Sequence, residues 1–412
     1  MKNLETLIKD LCPDGVEFRT MEEVFEIRNG YTPSKNNPDF WEGGTIPWFR
    51  MEDIRQNGRI LSDAIQHITP AAIKGKGLFP ANSIIIATTA TIGEHALVIA
   101  DSLANQQFTN LAVRKSLSAC LLPKFVFYYM FVIDEWCKKN VNAGNFASVD
   151  MKRFKKLEFP LPPIKVQTEI VRILDKFTSL EAELEAELDC RKRQYEYYRD
   201  KLLSFDNVGG QEVEWKKMSE VGTFIRGNGL QKKDFTESGV GCIHYGQIYT
   251  KFNTFTDKTL TYCSENVARK LTPVHPGDLI IACTSENVED VCKTVAWLGK
   301  EDIVTGGHAC VFSHHENPKY IAYLLQTENF FQQKKKYARG VKVIDIKVAD
   351  LQKITLPIPS LEEQQRIVSI LDRFESLTTS LQSGFPAEIA ARRQQYEHYR
   401  DKLLTFKRKG AA

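Results

Sequence analysis

The chain offers most of the side chains that enzymes use, yet never at the spacing that lets them work together. A glycine-rich phosphate loop needs Gly-x-x-x-x-Gly-Lys-Ser/Thr, which is absent from the 412 residues. Asn37-Pro38-Asp39-Phe40 has the outline of an Asn-Pro-Pro-aromatic grip on a flipped base. Asp39 replaces the second proline, however, and no glycine-rich cofactor loop precedes it, so the segment reads as a turn. Asp278 and Glu286 share a strand–loop unit, but no Glu-x-Lys follows to complete a metal-nuclease centre. The eight histidines show no His-Glu-x-x-His or other ligand spacing, and His314-His315 reads as a surface pair. Nine cysteines, odd in number and without a Cys-x-x-Cys pair, argue for a reducing cytoplasm and against a zinc site or disulfide framework. Any catalysis would have to come from a partner.

What remains is binding chemistry. The net charge of +3 is nearly balanced, so the signal lies in clustering. Lys152, Arg153, Lys155 and Lys156 form one basic group, and Lys334, Lys335, Lys336, Arg339 and Lys342 form another; Lys216-Lys217 and Lys232-Lys233 are smaller. Taken singly, each could be a solvated face; their recurrence in two halves of the chain is harder to dismiss. Polar, turn-rich loops lie between apolar runs at Asn29–Lys35, Thr88–Gly93, Asn105–Gln107 and Ala143–Ser148. Their Asn, Gln, Thr and Lys side chains suit base edges, although any surface loop contains such residues.

The elements that must position these groups come in duplicate. Tyr-Glu-Tyr-Tyr-Arg-Asp-Lys-Leu-Leu-Ser-Phe at 195–205 returns as Tyr-Glu-His-Tyr-Arg-Asp-Lys-Leu-Leu-Thr-Phe at 396–406, nine of eleven positions being identical. Upstream, the segment from Gln167 to Phe177 matches Gln364 to Phe374, after Pro160-Leu-Pro-Pro163 and Pro357-Ile-Pro359 respectively. The intervening halves repeat more faintly. Val16-Glu17-Phe18 answers to Val213-Glu214-Trp215, and Ser83–Ala87 to Asp278–Ala282. Such internal repetition decides the architecture.

Apolar residues of the repeated segments recur at threes and fours: Ile170, Leu174, Phe177, Leu184, Leu188, Tyr195, Tyr198, Leu202 and Phe205 in the first copy. That spacing, with Glu181-Ala-Glu-Leu-Glu-Ala-Glu-Leu188, predicts a long amphipathic helix of roughly 36 residues, about 54 Å at 1.5 Å per residue. In the second copy the offset changes from 197 to 201, which places a four-residue insertion around Ser383-Gly384-Phe385-Pro386. Four residues nearly preserve the apolar face, while Gly384 and Pro386 should interrupt the helix. The simplest burial of each stripe is against its own copy, antiparallel. Such helices could be no more than a spacer. Equal surfaces at both ends would instead let two copies of one partner dock, with Tyr195, Tyr198, Arg199 and Leu202 matched by Tyr396, Tyr399, Arg400 and Leu403.

The divergent halves read as mixed α/β, with Ser83–Ala87 and Asp278–Ala282 as buried strands and Phe125–Lys139 and Tyr320–Lys336 as helices. The fold class is therefore α+β: two tandem mixed α/β domains separated by two long helices packed as an antiparallel coiled coil. The partition runs 1–159 and 207–356 for the divergent domains, 160–206 and 357–406 for the helical regions, and 407–412 as a tail. No stretch approaches the roughly 20 apolar residues of a membrane span, and Met1–Glu5 lacks the apolar core of a signal peptide. A cytoplasmic, membrane-free protein is expected.

Together, Pro160–Pro163 with Gln167 and Glu169–Phe177, and Arg191–Phe205 with its second copy, resemble the specificity subunits of Type I restriction–modification systems over nearly the whole chain. Glu-Ala-Glu-Leu and the Gly384-Phe385-Pro386 insertion resemble the Type IC subgroup. Gly30–Ser34 and Ile46-Pro47-Trp48 are similar to that family's first recognition domains, whereas Gly227–Gln231 and Cys242–Gly246 depart from them. The resemblance implies that each domain reads one half of a bipartite, asymmetric site in double-stranded DNA. It implies two methyltransferase subunits docked on the helices, joined by two restriction–translocation subunits. Those partners would use S-adenosylmethionine, ATP and magnesium, and this chain would bind none of them. DNA-facing loops are implied near Arg50, Thr89, Thr91, Asn105 and Gln106, and near His244, Tyr245, Thr284, Ser285 and His308. Lys35, Lys152, Arg153, Lys232 and Lys342 are the candidate phosphate contacts. The rival reading is a non-catalytic pair of binding modules on a coiled-coil strut whose ligand is not DNA.

Overall fold

The computed structural model describes residues 2–142, 147–205, 213–379 and 384–410. Two compact units emerge: Met1–Ala182 with Ala391–Ala412, and Glu183–Ala390.

In the first unit, Ser83–Ala87 lies near the middle of a five-stranded sheet, between Phe108–Val113 and His95–Val98, with Phe25–Asn29 and Ile60–Leu61 at the edges. Only the last pairing, Ile60↔Leu97, is parallel. The unbroken apolar run of Ser83–Ala87 has a physical cause, because the strand is buried on both faces. Ile84 and Ile86 join Leu97, Leu111 and Phe125 in one cluster, while Ile85 and Ala87 face Trp48, Phe49 and Val98 in another. A second sheet, His67–Ile68, Ile46–Phe49 and Leu103–Ala104, ends in the parallel pair Phe49↔Ala104.

The second unit repeats this plan. Leu279–Ala282 lies between Ala309–His314 and Thr294–Trp297, flanked by Gly222–Arg226 and Phe255–Thr256. Its second sheet has five strands, within which Val240–Ile243 runs parallel to Ile303–Thr305. Each module is closed by an antiparallel pair that brings its two ends together: Glu17–Thr20 with Glu158–Leu161, and Glu214–Lys217 with Thr355–Ile358.

Ile164–Ser204 is one helix of 41 residues, longer than its apolar spacing predicts because it starts directly after Pro163. In the first unit its Phe177 stacks on Tyr399 at 5.5 Å and lies 6.4 Å from Tyr396, and Glu181 pairs with Arg393. Ascending numbers on one helix meet descending numbers on the other, so the packing is antiparallel. In the second unit Tyr198 stacks on Phe374 at 6.1 Å. In the second copy the described residues form the helices Leu361–Thr379 and Phe385–Leu403, and the expected interruption is seen at Gly384. Gly384 stands at φ +81°, where a Cβ would lie 2.6 Å from the Leu377 carbonyl oxygen. Of the four-residue insertion, Ser383 lies outside the described residues.

Polar clamps tie each helix to its module, the two glutamines among them fully buried. Gln167 accepts from the Leu122 N–H and donates to the Cys120 and Pro162 carbonyls. Gln364 likewise accepts from the Asn317 N–H and donates to Glu316 and the Pro359 carbonyl. Asp175 holds Lys124 and the Tyr128 hydroxyl, each at 2.7 Å; Asp372 holds Lys319 and Tyr323 at the same distances.

Three local expectations change. The segment 320–336 is two helices, Pro318–Leu324 and Glu328–Lys335, because the Thr327 hydroxyl accepts from the Phe330 N–H and starts a new one. Lys334 is no surface charge: it is buried, and its Nζ donates to the carbonyls of Glu289 and Val291. His314 is half-buried; its Nδ1 accepts from the Glu316 N–H, and burial pushes its pKa down to about 4.

Candidate nucleic-acid interface

In each unit the polar loops converge where a parallel strand pair ends. Beyond Phe49 and Ala104 in the first unit stand Arg50 and Asn105, and the Asn105 N–H donates to the Phe49 carbonyl at 3.0 Å. Arg50 opens the short helix Met51–Asn57, its N–H donating to Asp53 at 2.6 Å. Asp53 is fully buried and also accepts from the Ile65 N–H, which fixes the turn. The Arg50 guanidinium pairs with Glu52, and its buried Nε has no hydrogen-bond partner among the described residues.

The glycine of Gly30–Ser34 belongs to this corner. A Cβ on Gly30 would lie 2.2 Å from the Asn105 carbonyl oxygen, so only glycine lets the two loops touch. Thr32 is hydrogen-bonded to Gln106, and the Thr88 N–H donates to the Gln107 carbonyl. Thr89 bridges to Ser148, and the Val149 N–H donates to the Thr88 carbonyl. Lys152 and Arg153 follow on Met151–Lys155, both exposed, their N–H groups capped by Asp150. The Thr91 hydroxyl is buried without a partner among the described residues. Arg50, Thr89, Asn105 and Gln106 thus stand on adjoining segments tied together through Phe49, Thr88 and Gln107, whereas Lys35 is exposed on a loop apart from these bonds. Of the loop 143–148, only Ala147 and Ser148 are described.

The second unit builds the same corner from other chemistry. His244, just past Ile243, opens the helix Tyr245–Thr250. Its Nδ1 accepts from the Gly246 N–H at 3.1 Å, so the neutral ring presents Nε2–H as a donor. Burial lowers its pKa first, and the charges of Lys232 and His308 lower it further. Tyr245 lies 4.5 Å from His244 and 5.0 Å from His308. His308 is exposed at φ +68°, and its carbonyl accepts from the Cys283 N–H, as that of Gln107 does from Thr88. Gly227 touches this turn as Gly30 does in the first unit, with a Cβ position 2.0 Å from the Gly306 carbonyl oxygen. Thr284–Ser285 pairs with Ile344–Asp345, and Lys342 is exposed on the turn leading into that strand. The Tyr249 hydroxyl donates to the Thr284 carbonyl at 2.8 Å. Tyr249 was missed in the sequence, and Gly30 and Gly227 were read only as the first residues of their motifs; the repeated offset of 197 is the signal that pairs them.

The candidate docking residues are engaged inside the units. Tyr195 and Leu403 are buried, Tyr198 and Tyr399 stack on phenylalanines, and Leu202 packs beside the second core. Arg199 and Arg400 lie 5.7 Å over Tyr195 and Tyr396. Near-identity of the two copies therefore serves internal packing first. Tyr198 nonetheless stays 40% exposed, and exposed beside it are Glu196, Tyr197 and Lys201, with the counterparts Glu397, His398 and Lys402.

Among the described residues no group of three His, Cys, Asp or Glu side chains could hold a metal, and no helix is long and apolar enough to cross a membrane. The family model for the Type I restriction modification DNA specificity domain matches twice, at residues 13–189 and 211–391. The EcoprrI specificity subunit of Escherichia coli is 39% identical over 405 residues, 92% of this chain and 93% of that protein. The EcoR124I/EcoR124II specificity subunit, also from Escherichia coli, is 35% identical over 302 residues, 69% and 71% of the two chains. A solved structure described as the structural basis of complex assembly and conformational transition of the type I R-M system aligns with a TM-score of 0.67. It is 15% identical and covers 95% of this chain and 97% of its own.

Proposed function

Since the chain belongs to the family of Type I restriction–modification DNA specificity subunits, we propose that each unit reads one half of a bipartite, asymmetric site in double-stranded DNA. It is a non-catalytic subunit, and the chemistry lies in its partners. The observation that carries the half-site reading is that two corners of the same topology present unlike side chains: Arg50, Asn105 and Gln106 in one, His244, Tyr245 and His308 in the other. Arginine suits guanine O6 and N7, asparagine and glutamine suit adenine, and the Nε2–H of His244 suits an acceptor such as guanine N7 or thymine O4. Lys35, Lys152, Arg153, Lys232 and Lys342 hold phosphates and set register without reading sequence.

Two methyltransferase subunits dock on the helical region, one beside each copy of the repeated segment, and two restriction–translocation subunits join them in the cytoplasm. S-adenosylmethionine, ATP and magnesium serve those partners. Labelled S-adenosylmethionine and DNA, incubated with chain alone, methyltransferase alone, and both, test the reading. Sequence-specific adenine methylation is expected only with both present; methylation by the chain alone refutes it. Binding should weaken steeply with salt, log K falling by about 0.9 per phosphate contact for each unit of log salt. DNA binding that ignores both salt and sequence would favour a module pair with another ligand.

A further inference from the structure

The two units differ where the repeated helix meets the module. In the first, Arg59 donates to the His95 carbonyl at 3.0 Å, and its guanidinium lies 5.3 Å over Phe131. Arg400 approaches the same ring at 4.8 Å, and the charges of Arg400 and Arg59 both act on Tyr396. An arginine of the chain itself therefore occupies the space beside Tyr396.

The second unit keeps the counterpart of Arg400, Arg199 over Tyr195 at 5.7 Å, but has no counterpart of Arg59. The Arg59 carbonyl accepts from the Leu97 N–H just as the Thr254 carbonyl accepts from the Ala296 N–H, so Thr254 stands where Arg59 does. Thr178 of the first unit is answered by Glu375, to which Thr254 donates. In place of the filled corner is a cleft of about 760 Å³. Six of its lining residues are acidic and three are basic. Each of those three is already engaged: Lys334 with backbone carbonyls, Lys293 with the Tyr249 carbonyl, and Arg199 with Asp200. Glu196 and Glu289 are exposed on the cleft. Tyr195, the counterpart of Tyr396, also lines it, is only 9% exposed, and carries a buried hydroxyl with no hydrogen-bond partner among the described residues.

We propose that this cleft receives an arginine-bearing basic segment of the methyltransferase partner, the guanidinium taking beside Tyr195 and the acidic lining the place that Arg59 holds in the first unit. The acidic lining excludes a nucleic-acid occupant. The inference rests on the docking reading above and adds that the two partner copies are not held alike: one meets a filled corner, the other a cleft it must fill.

The test uses the full chain titrated calorimetrically with its cognate methyltransferase subunit. Glu196→Lys with Glu289→Lys changes two exposed side chains, and Thr254→Arg supplies the missing arginine from within. Either variant should weaken one of two bound copies about tenfold or more, with loss of that copy's salt dependence, and leave the other unchanged. Two copies bound by the variants as by the unaltered chain would overturn the inference and leave the docking reading standing. No copy bound by the unaltered chain would overturn both. Should Thr254→Arg fail to fold, the surface lysine pair decides.

Discussion

At the residue scale, close approach and burial govern what single side chains can do. Gly30→Ala forces a Cβ against the Asn105 carbonyl, and such overpacking costs about 1–3 kcal/mol. Hydrogen exchange should show loosening around Asn105–Gln107, and methylation mapping should show one half-site relaxed with the other intact. His314 gives a pH signature. Its folded pKa of about 4 lies below the ordinary 6.5, so the neutral ring contributes stability that is complete above pH 6.5 and is lost as pH falls toward 4. The effect is of order 3 kcal/mol. Hydrogen exchange in the strand Ala309–His314 should quicken over that range, and His314→Gln should flatten the dependence. A slope unaltered by the substitution would assign acid sensitivity to other groups. Residue roles were the least legible part of the sequence. Nothing local distinguishes Lys334, which is buried and spent on carbonyls, from exposed Lys335 beside it.

At the element scale, the repeated helices were legible because their apolar spacing is long and their near-identity needs no comparison with other chains. Internal packing explains much of that identity: Phe177 against Tyr399 and Phe374 against Tyr198 are one contact made twice. The glutamine clamps are its polar counterpart. Gln167→Ala leaves the Leu122 N–H without its acceptor and should cost about 1–3 kcal/mol, read as a lower urea midpoint for the first unit. Gln364→Ala should do the same to the second, through the Asn317 N–H. The helix Ile164–Ser204 also sets a length. Adding one Glu-Ala-Glu-Leu unit extends it by about 6 Å, and the unspecified gap between the two specified sequences should lengthen. An unchanged gap in methylation mapping would remove the helix as a ruler. Sequence reasoning joined residues 320–336 into one helix because apolar spacing continues through the break; the cap at Thr327 competes with it locally and wins.

At the scale of the whole molecule, duplication explains what could and could not be read. Offsets near 197 identify equivalent strands, closing pairs and clamps even where side chains have diverged. The corners themselves were visible only as polar loops, because their convergence depends on the parallel pairs Phe49↔Ala104 and Ile243↔Thr305, which join residues more than fifty positions apart. One framework used twice, with unlike corners, predicts a target whose halves are separable. The most direct test is adenine-methylation mapping in cells that express the chain with its methyltransferase. Arg50→Ala with Asn105→Ala is compared there with His244→Ala with His308→Ala. The unaltered chain should methylate an asymmetric site of two short sequences around unspecified bases, the first pair of changes relaxing one half and the second pair the other. A continuous or symmetric site, or both pairs relaxing the same half, would contradict it.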